Sequence, residues 1–213
     1  MTERGMIFNG EMVRAILGGR KTQTRRPIKW KQTRFTEIGE REDRSKWPWS
    51  EDAENACDFW HPCPFGAVGD RIWVRETFAA LAPGSYEQVK PQEGCCHYLR
   101  YAATDRLAKL DADVRGYKWV PSIHMPRWAS RILLEITDVR IERLNDISQE
   151  DAQSEGMELT GWRPTYSDPD SGGDTCTPYD NFAALWESIY GAGSWMANSW
   201  VWVIEFKRIE EDR

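Results

Sequence analysis

The chain has 213 residues, 40% apolar and 29% charged, with a formal net charge of −6, a globular composition rather than a fibrous or disordered one. No run nears the ~18 apolar residues of a membrane helix, MTERGMIFNG lacks the apolar core of a secretory signal, and five cysteines, an odd number, fit a reducing compartment better than a disulfide scaffold; the expectation is a cytoplasmic protein. The acidic balance excludes a surface that coats nucleic acid non-specifically, yet residues 20–34 carry seven Lys or Arg and no acid, which reads as a local anion site or as a solvated basic turn.

In chain order, residues 6–8 predict a short strand. Asn9 then caps a helix with Met12, Val13, Ile16 and Leu17 on one face, and Gly18 and Gly19 stop it. Arg20 to Pro27 alternates and reads as a strand. Residues 32–62 show no period and are taken as an insertion. GDRIWVRETF, residues 69–78, predicts a strand with Ile72 and Val74 facing away from Arg71, Trp73 and Arg75. Residues 80–95 form a second insertion, and residues 96–103 a further strand. RILLEITDVRIERL, residues 131–144, is the longest strand signal. Its apolar phase switches near Thr137 and Asp138, as a bulge or bend in a small curved barrel would require.

Ser148 caps a short helix, with Asp151 answering in a capping box and Gly156 closing it. Residues 161–178, rich in Gly, Pro, Ser and Asp, read as a mobile loop. A second helix follows, with Asp180 as cap, Phe182, Leu185, Trp186 and Ile189 on one face, and Gly191 beyond its end. WVWVIEF, residues 200–206, predicts a buried strand. The fold class expected is α+β: a single domain over residues 1–213, a small mixed β-barrel of five or six strands decorated by about three helices, with irregular insertions. No GxGxxG or GxxxxGK[ST] follows a strand, which disfavours a doubly wound nucleotide fold.

Several residues carry chemistry. Lys21 lies among Arg20, Arg25 and Arg26, and like charges disfavour its ammonium, which is how a lysine becomes a base. Thr24 offers a hydroxyl to activate, although a spacing of three on a strand does not bring the two together. Without further context the two are a surface lysine and a strand threonine. Glu155 sits at a helix C-terminus, where the dipole gives a carboxylate no stability; it is either solvated or positioned as a general acid. Glu76 is a second acid, able to pair with Arg71, Arg75 or the basic segment. Cys57, His61, Cys63, Cys95, Cys96 and His97 form two clusters, but C-x3-H-x-C and C-C-H are not established zinc spacings, so no metal is assigned. Of twelve tryptophans, Trp186 and Trp202 fall on apolar periodicities and read as core. Trp30, Trp47, Trp49, Trp60 and Trp162 lie in polar segments, where their rings stack on bases or pin insertions down.

GRKTQTRR, GDRIWVRETF, HMPRWASRILLEITDVRIERL, ISQEDAQSEGM and NSWVWVIEFKR, in this order, resemble the activating-signal-cointegrator homology (ASCH) family, a relative of the PUA RNA-binding barrel. The chain is most similar to the longer ASCH proteins of phages and prophages. The resemblance implies a PUA-like barrel and, from the small family enzymes that hydrolyse N4-acetylcytidine, a catalytic set of Lys21, Thr24 and Glu155. It implies an amide hydrolase of N4-acylated cytosine nucleosides or nucleotides, alone or in RNA, that needs no cofactor. Arg20, Arg25, Arg26, Arg75, Glu76 and Trp30 are the corresponding candidates for holding substrate or nucleic acid. A non-catalytic reader of RNA or modified bases, and a ribonuclease, stand as alternatives.

Overall fold

The computed structural model describes residues 1–29, 36–52, 57–94, 97–157 and 177–209. Among them the class is α+β, with ten strands and four helices, more strands than the five or six expected. The elements are β1 (Glu3–Ile7), α1 (Gly10–Leu17), β2 (Gln23–Pro27), β3 (Thr36–Glu40), β4 (Lys46–Asp52), β5 (Cys57–Trp60), β6 (Arg71–Arg75), β7 (Phe78–Leu81), β8 (Tyr98–Tyr101), α2 (Ala112–Arg115), β9 (Leu133–Arg143), α3 (Gln149–Ser154), α4 (Pro178–Tyr190) and β10 (Trp200–Ile209). Five strands share a sheet in the order β1-β6-β9-β10-β2, while β3, β4 and β5 form a three-stranded sheet and β7 and β8 a pair. The chain divides into two compact units, residues 1–19, 70–135 and 207–213 in one and residues 20–69 and 136–206 in the other.

In the first unit β1 runs parallel to β6, Met6 opposite Val74, and β6 antiparallel to β9, Ile72 opposite Leu134. Burial alternates along β6 with Ile72 and Val74 inward, as the sequence predicts. β1 begins at Glu3 rather than at Met6 because pairing with β6, not apolar content, makes it a strand: only Met6 of its five residues is buried. Gly5 lies under Trp73, where a Cβ would come within 2.5 Å of the indole; a side chain there would displace the ring. The Asn9 carboxamide caps α1 on the Met12 N–H at 2.8 Å, and Val13, Ala15 and Ile16 are buried. Phe78, Met125 and Ala129 form one core cluster, and Ala79, Leu81 and Tyr117 another. Ala80 and Leu81 complete β7 and are buried, so the insertion expected over residues 80–95 begins later. The single turn of α2 carried no sequence periodicity.

In the second unit β2 pairs antiparallel with β10, Thr24 opposite Ile204 and Arg26 opposite Trp202. The run from Val201 to Ile204 is wholly buried, as its unbroken apolar sequence requires of a central strand. The buried face of β9 switches from Leu134 and Ile136 to Ile141, the phase change expected near Thr137. Leu144, Ile147, Ala152, Phe182, Trp186, Val201 and Val203 form the core that receives α3 and α4. Thr177, not Asp180, caps α4; Asp180 completes the capping box from the third helical position. Ile189, expected inward, is 46% exposed.

Residues 36–52 and 57–60 correct the expectation of an irregular insertion. β4 is the centre of an antiparallel meander, paired with β3 (Gly39 opposite Trp47) and with β5 (Trp49 opposite Trp60). Pro48 argues against a central strand because it has no N–H for the ladder. Its side of β4 faces the end of β5, where the His61 N–H donates to the Pro48 carbonyl at 2.8 Å, just past the last paired residue, so little pairing is lost. Trp47 packs edge-on against Trp202 at 5.1 Å between centroids, a contact that pins the meander. No described helix is long and apolar enough to cross a membrane. The loop expected over residues 161–178 lies, up to residue 176, outside the described residues, as do Trp30 and Trp162.

Candidate active site

β2 starts at Gln23, later than the Arg20 expected, and Lys21 precedes it in a single antiparallel bridge to Glu155. The end of α3 sets up that bridge. Ser148 accepts from the Asp151 N–H at 3.0 Å to start the helix, and Gly156, at φ +100°, turns the chain out of it. The Thr22 N–H donates to the Ser154 carbonyl at 2.8 Å, and the Phe206 N–H to Thr22 at 2.8 Å, tying this segment to α3 on one side and β10 on the other.

Lys21 and Glu155 are each 2% exposed. The Lys21 Nζ donates to Glu155 Oε2 at 2.5 Å and to the Glu155 carbonyl at 2.9 Å. Arg25 donates through Nη1 to Gln23 at 2.7 Å and to Glu155 Oε1 at 3.4 Å, and through Nη2 to Glu142 at 2.9 Å and Asp151 at 3.1 Å. Gln23 donates to the other Asp151 oxygen at 2.7 Å. Arg140 closes the outer side on Glu142, Asp138 and Glu205. Lys21, Gln23 and Arg25 are alternate residues, so the strand pleat delivers them to one side.

Burial pulls the Lys21 ammonium below the usual lysine range, and Arg26 and Arg25 push the same way against the opposing pull of Glu155. Burial would raise Asp151, but the Gln23 hydrogen bond and the charges of Arg25 and Arg140 outweigh it and hold the carboxyl below the ordinary aspartate range. The result is an amine whose cationic form is disfavoured, sharing a short hydrogen bond with a carboxylate. Such a pair can take a proton at one atom and return it at the other.

The structure brings together Lys21 and Glu155 but not Thr24. Thr24 is buried, and the pleat turns it to the face opposite Gln23 and Arg25. Both Nη atoms of Arg25 are taken by carboxylates and Gln23, so it has no fork left for a phosphate. Arg20 is exposed and Arg26 half-buried. Arg75 donates to the main-chain carbonyls of Ser122 (3.3 Å) and Ile123 and lies over the Trp73 ring. Glu76 pairs with Arg131, at 2.8 and 3.0 Å, rather than with Arg71, Arg75 or the basic segment, and Arg131 stacks over Tyr101 at 4.0 Å.

Sequence reasoning missed Gln23, Arg131, Arg140, Glu142, Asp151 as a side-chain partner, and Glu205. The sequence marks Asp151 as the returning half of a capping box, but its carboxylate goes to Gln23 and Arg25 instead. The alternate spacing of Lys21, Gln23 and Arg25 was the available signal. Of the cysteine and histidine clusters, His61 Nε2 bonds the Ser50 hydroxyl at 2.9 Å, His97 Nε2 meets the Gln92 backbone at 3.1 Å, and Cys63 is buried. The side chains of Cys57, Cys95 and Cys96 lie outside the description. No group of three metal-ligating side chains occurs among the described residues. Comparison of the chain with protein-family models, with curated proteins and with solved structures returns no match.

Proposed function

We propose that the protein is an ASCH-type amide hydrolase with a PUA-like barrel, acting on N4-acylated cytosine nucleosides or nucleotides, free or in RNA. The single observation that carries this reading is the buried Lys21–Glu155 pair, formed by two of the three residues that the resemblance to the ASCH family selects. Lys21, with its ammonium disfavoured, takes the proton of an attacking water. The water oxygen bonds the acyl carbon, Lys21 passes the proton along its hydrogen bond to Glu155, the carbon–nitrogen bond breaks, and Glu155 delivers that proton to the departing exocyclic amine. Water replaces the Thr24 hydroxyl as nucleophile because Thr24 lies on the other face of β2.

The test is release of cytidine from a panel of N4-acylated cytidines, their nucleotides and acetylated RNA. Wild-type protein is expected to release it. The double variant Lys21→Met with Glu155→Gln, which removes both charges and nearly preserves volume, is expected to be inert while folded. Thr24→Val is expected to stay within about threefold of wild type, a difference of under ~1 kcal/mol in barrier. Loss of turnover in Thr24→Val would return the nucleophile to that hydroxyl. Turnover by the folded double variant, or none by wild type on any substrate, would remove the hydrolase reading.

A further inference from the structure

The meander of β3, β4 and β5 carries an arrangement that the proposed hydrolysis does not use. The register places Gly39 opposite Trp47, and Glu37 and Trp60 on either side of Trp49, so these residues share one face. Trp60 lies over Gly39, where a Cβ would come within 2.9 Å of its ring; the missing side chain on β3 makes the room that ring occupies. Trp47 is held in an edge-type contact by Trp202. The guanidinium of Arg41, from the β3–β4 turn, sits over both rings, at 4.3 Å from the Trp47 centroid and 5.3 Å from that of Trp60.

We propose that Trp47 and Trp60 form an aromatic clamp for the guanidinium of an arginine in a basic peptide segment, and that Arg41 is its resident occupant until such a segment displaces it. Two observations select this ligand. Arg41 shows that a guanidinium fits the two rings, the arrangement in which a planar cation gains most from indole faces. The surroundings are acidic: residues 36–52 hold six carboxylates and three cations, with Glu37 and Glu51 on the same face as the tryptophans. That field attracts a cationic peptide and repels the phosphates that would accompany a stacked base. Arg41 hangs from a short turn in which its N–H donates to the Ser45 carbonyl at 2.9 Å, so it competes as a tethered ligand at an effective concentration in the ~mM range. A basic segment in trans therefore engages the clamp fully only when it brings more than one contact or when Arg41 is absent.

The experiment is titration of the full chain, wild type and Arg41→Ala, with the blocked tripeptide Gly-Arg-Gly, following indole N–H signals by NMR and tryptophan fluorescence. Citrulline in place of arginine, and oligouridylate, are the comparison probes. Arg41→Ala is expected to saturate at a concentration at least tenfold below that of wild type, to ignore citrulline, and to lose binding when Trp60→Ala is added. Trp60→Phe, which keeps a ring, should restore part of it even if Trp60→Ala perturbs the meander. Equal affinity in wild type and Arg41→Ala, indifference to Trp60, equal response to citrulline, or binding of oligouridylate in preference to the peptide would each overturn the assignment.

Discussion

Glu155→Gln tests the buried pair most directly. In the wild type the Lys21 amine has a carboxylate oxygen at 2.5 Å and a main-chain carbonyl at 2.9 Å, and neither side chain reaches solvent appreciably. Glutamine keeps the volume and an amide oxygen but removes the charge. An uncompensated buried ammonium costs about 3–5 kcal/mol. Loss of the proton caps that cost: neutralising a lysine of ordinary pKa ~10.4 at pH 7 takes about 4.6 kcal/mol. A loss of up to roughly 4.5 kcal/mol at pH 7 follows, smaller to the extent that the wild-type lysine has already given up its proton. The pH dependence carries the sharper statement. Lys21 lies below its unfolded value already in the wild type and lower still once the opposing pull of the Glu155 charge is gone, so the deficit shrinks with rising pH, by at most ~1.4 kcal/mol per unit, wherever the wild-type lysine keeps its proton and the variant's does not, and is level elsewhere. The assay is urea unfolding of both proteins at pH 7, 8 and 9, followed by circular dichroism. Glu142→Gln, on a carboxylate 23% exposed, serves as the control and is expected to cost about 1 kcal/mol with no such recovery. A Glu155→Gln deficit that grows with pH would refute the account of Lys21 as a buried amine whose cation is disfavoured by burial and supported by Glu155.

Three further outcomes follow from particular contacts. Asp151, held below its ordinary range by Gln23, Arg25 and Arg140 against its own burial, contributes stability above about pH 4 that is lost as pH falls through its folded value; Asp151→Asn should cost about 1–2 kcal/mol at pH 7 and converge on wild type in thermal melts as pH falls below the ordinary aspartate range. Gly5→Ala forces a methyl to within 2.5 Å of Trp73 and is expected to destabilise by about 1–3 kcal/mol, with a change in near-ultraviolet circular dichroism as the indole moves. Thr177→Ala removes the α4 capping box and should cost about 1 kcal/mol, read from the urea midpoint.

How much of this was legible depends on whether a residue's role was local. The Asn9 and Ser148 caps, the inward Ile72 and Val74, the phase switch in β9 and the buried run of β10 all follow from periods and cap chemistry within a dozen residues, and all are present. The meander was not legible because its strands carry no apolar alternation. Trp47 and Trp49 stand at alternate positions, but Pro48 between them and the flanking acids read as irregular chain, and the evidence for pairing lies in partners on β3 and β5. β1 failed to show its true start for the same reason: three of its residues before Met6 are exposed and are strand only by virtue of β6.

The candidate site divides along the same line. Lys21 and Glu155 stand out in the sequence through a motif and through an acid placed where a helix dipole disfavours it, 134 residues apart. Nothing within either segment shows that they touch. What the sequence did hold was the alternation Lys21, Gln23, Arg25, which on a strand sends three polar side chains to one side and leaves Thr24 on the other. Three polar groups sent inward together require partners. Those are present as Glu142, Asp151 and Glu155, of which the sequence marks Asp151 only as part of a helix cap. A buried polar triplet with no acid nearby in sequence is thus the sign of a long-range network, and its members are found by asking which acids the adjoining helix and strand can turn inward. The same question separates Arg25 from its neighbours: lying in step with Lys21 rather than with Thr24, it belongs to the network and not to a phosphate.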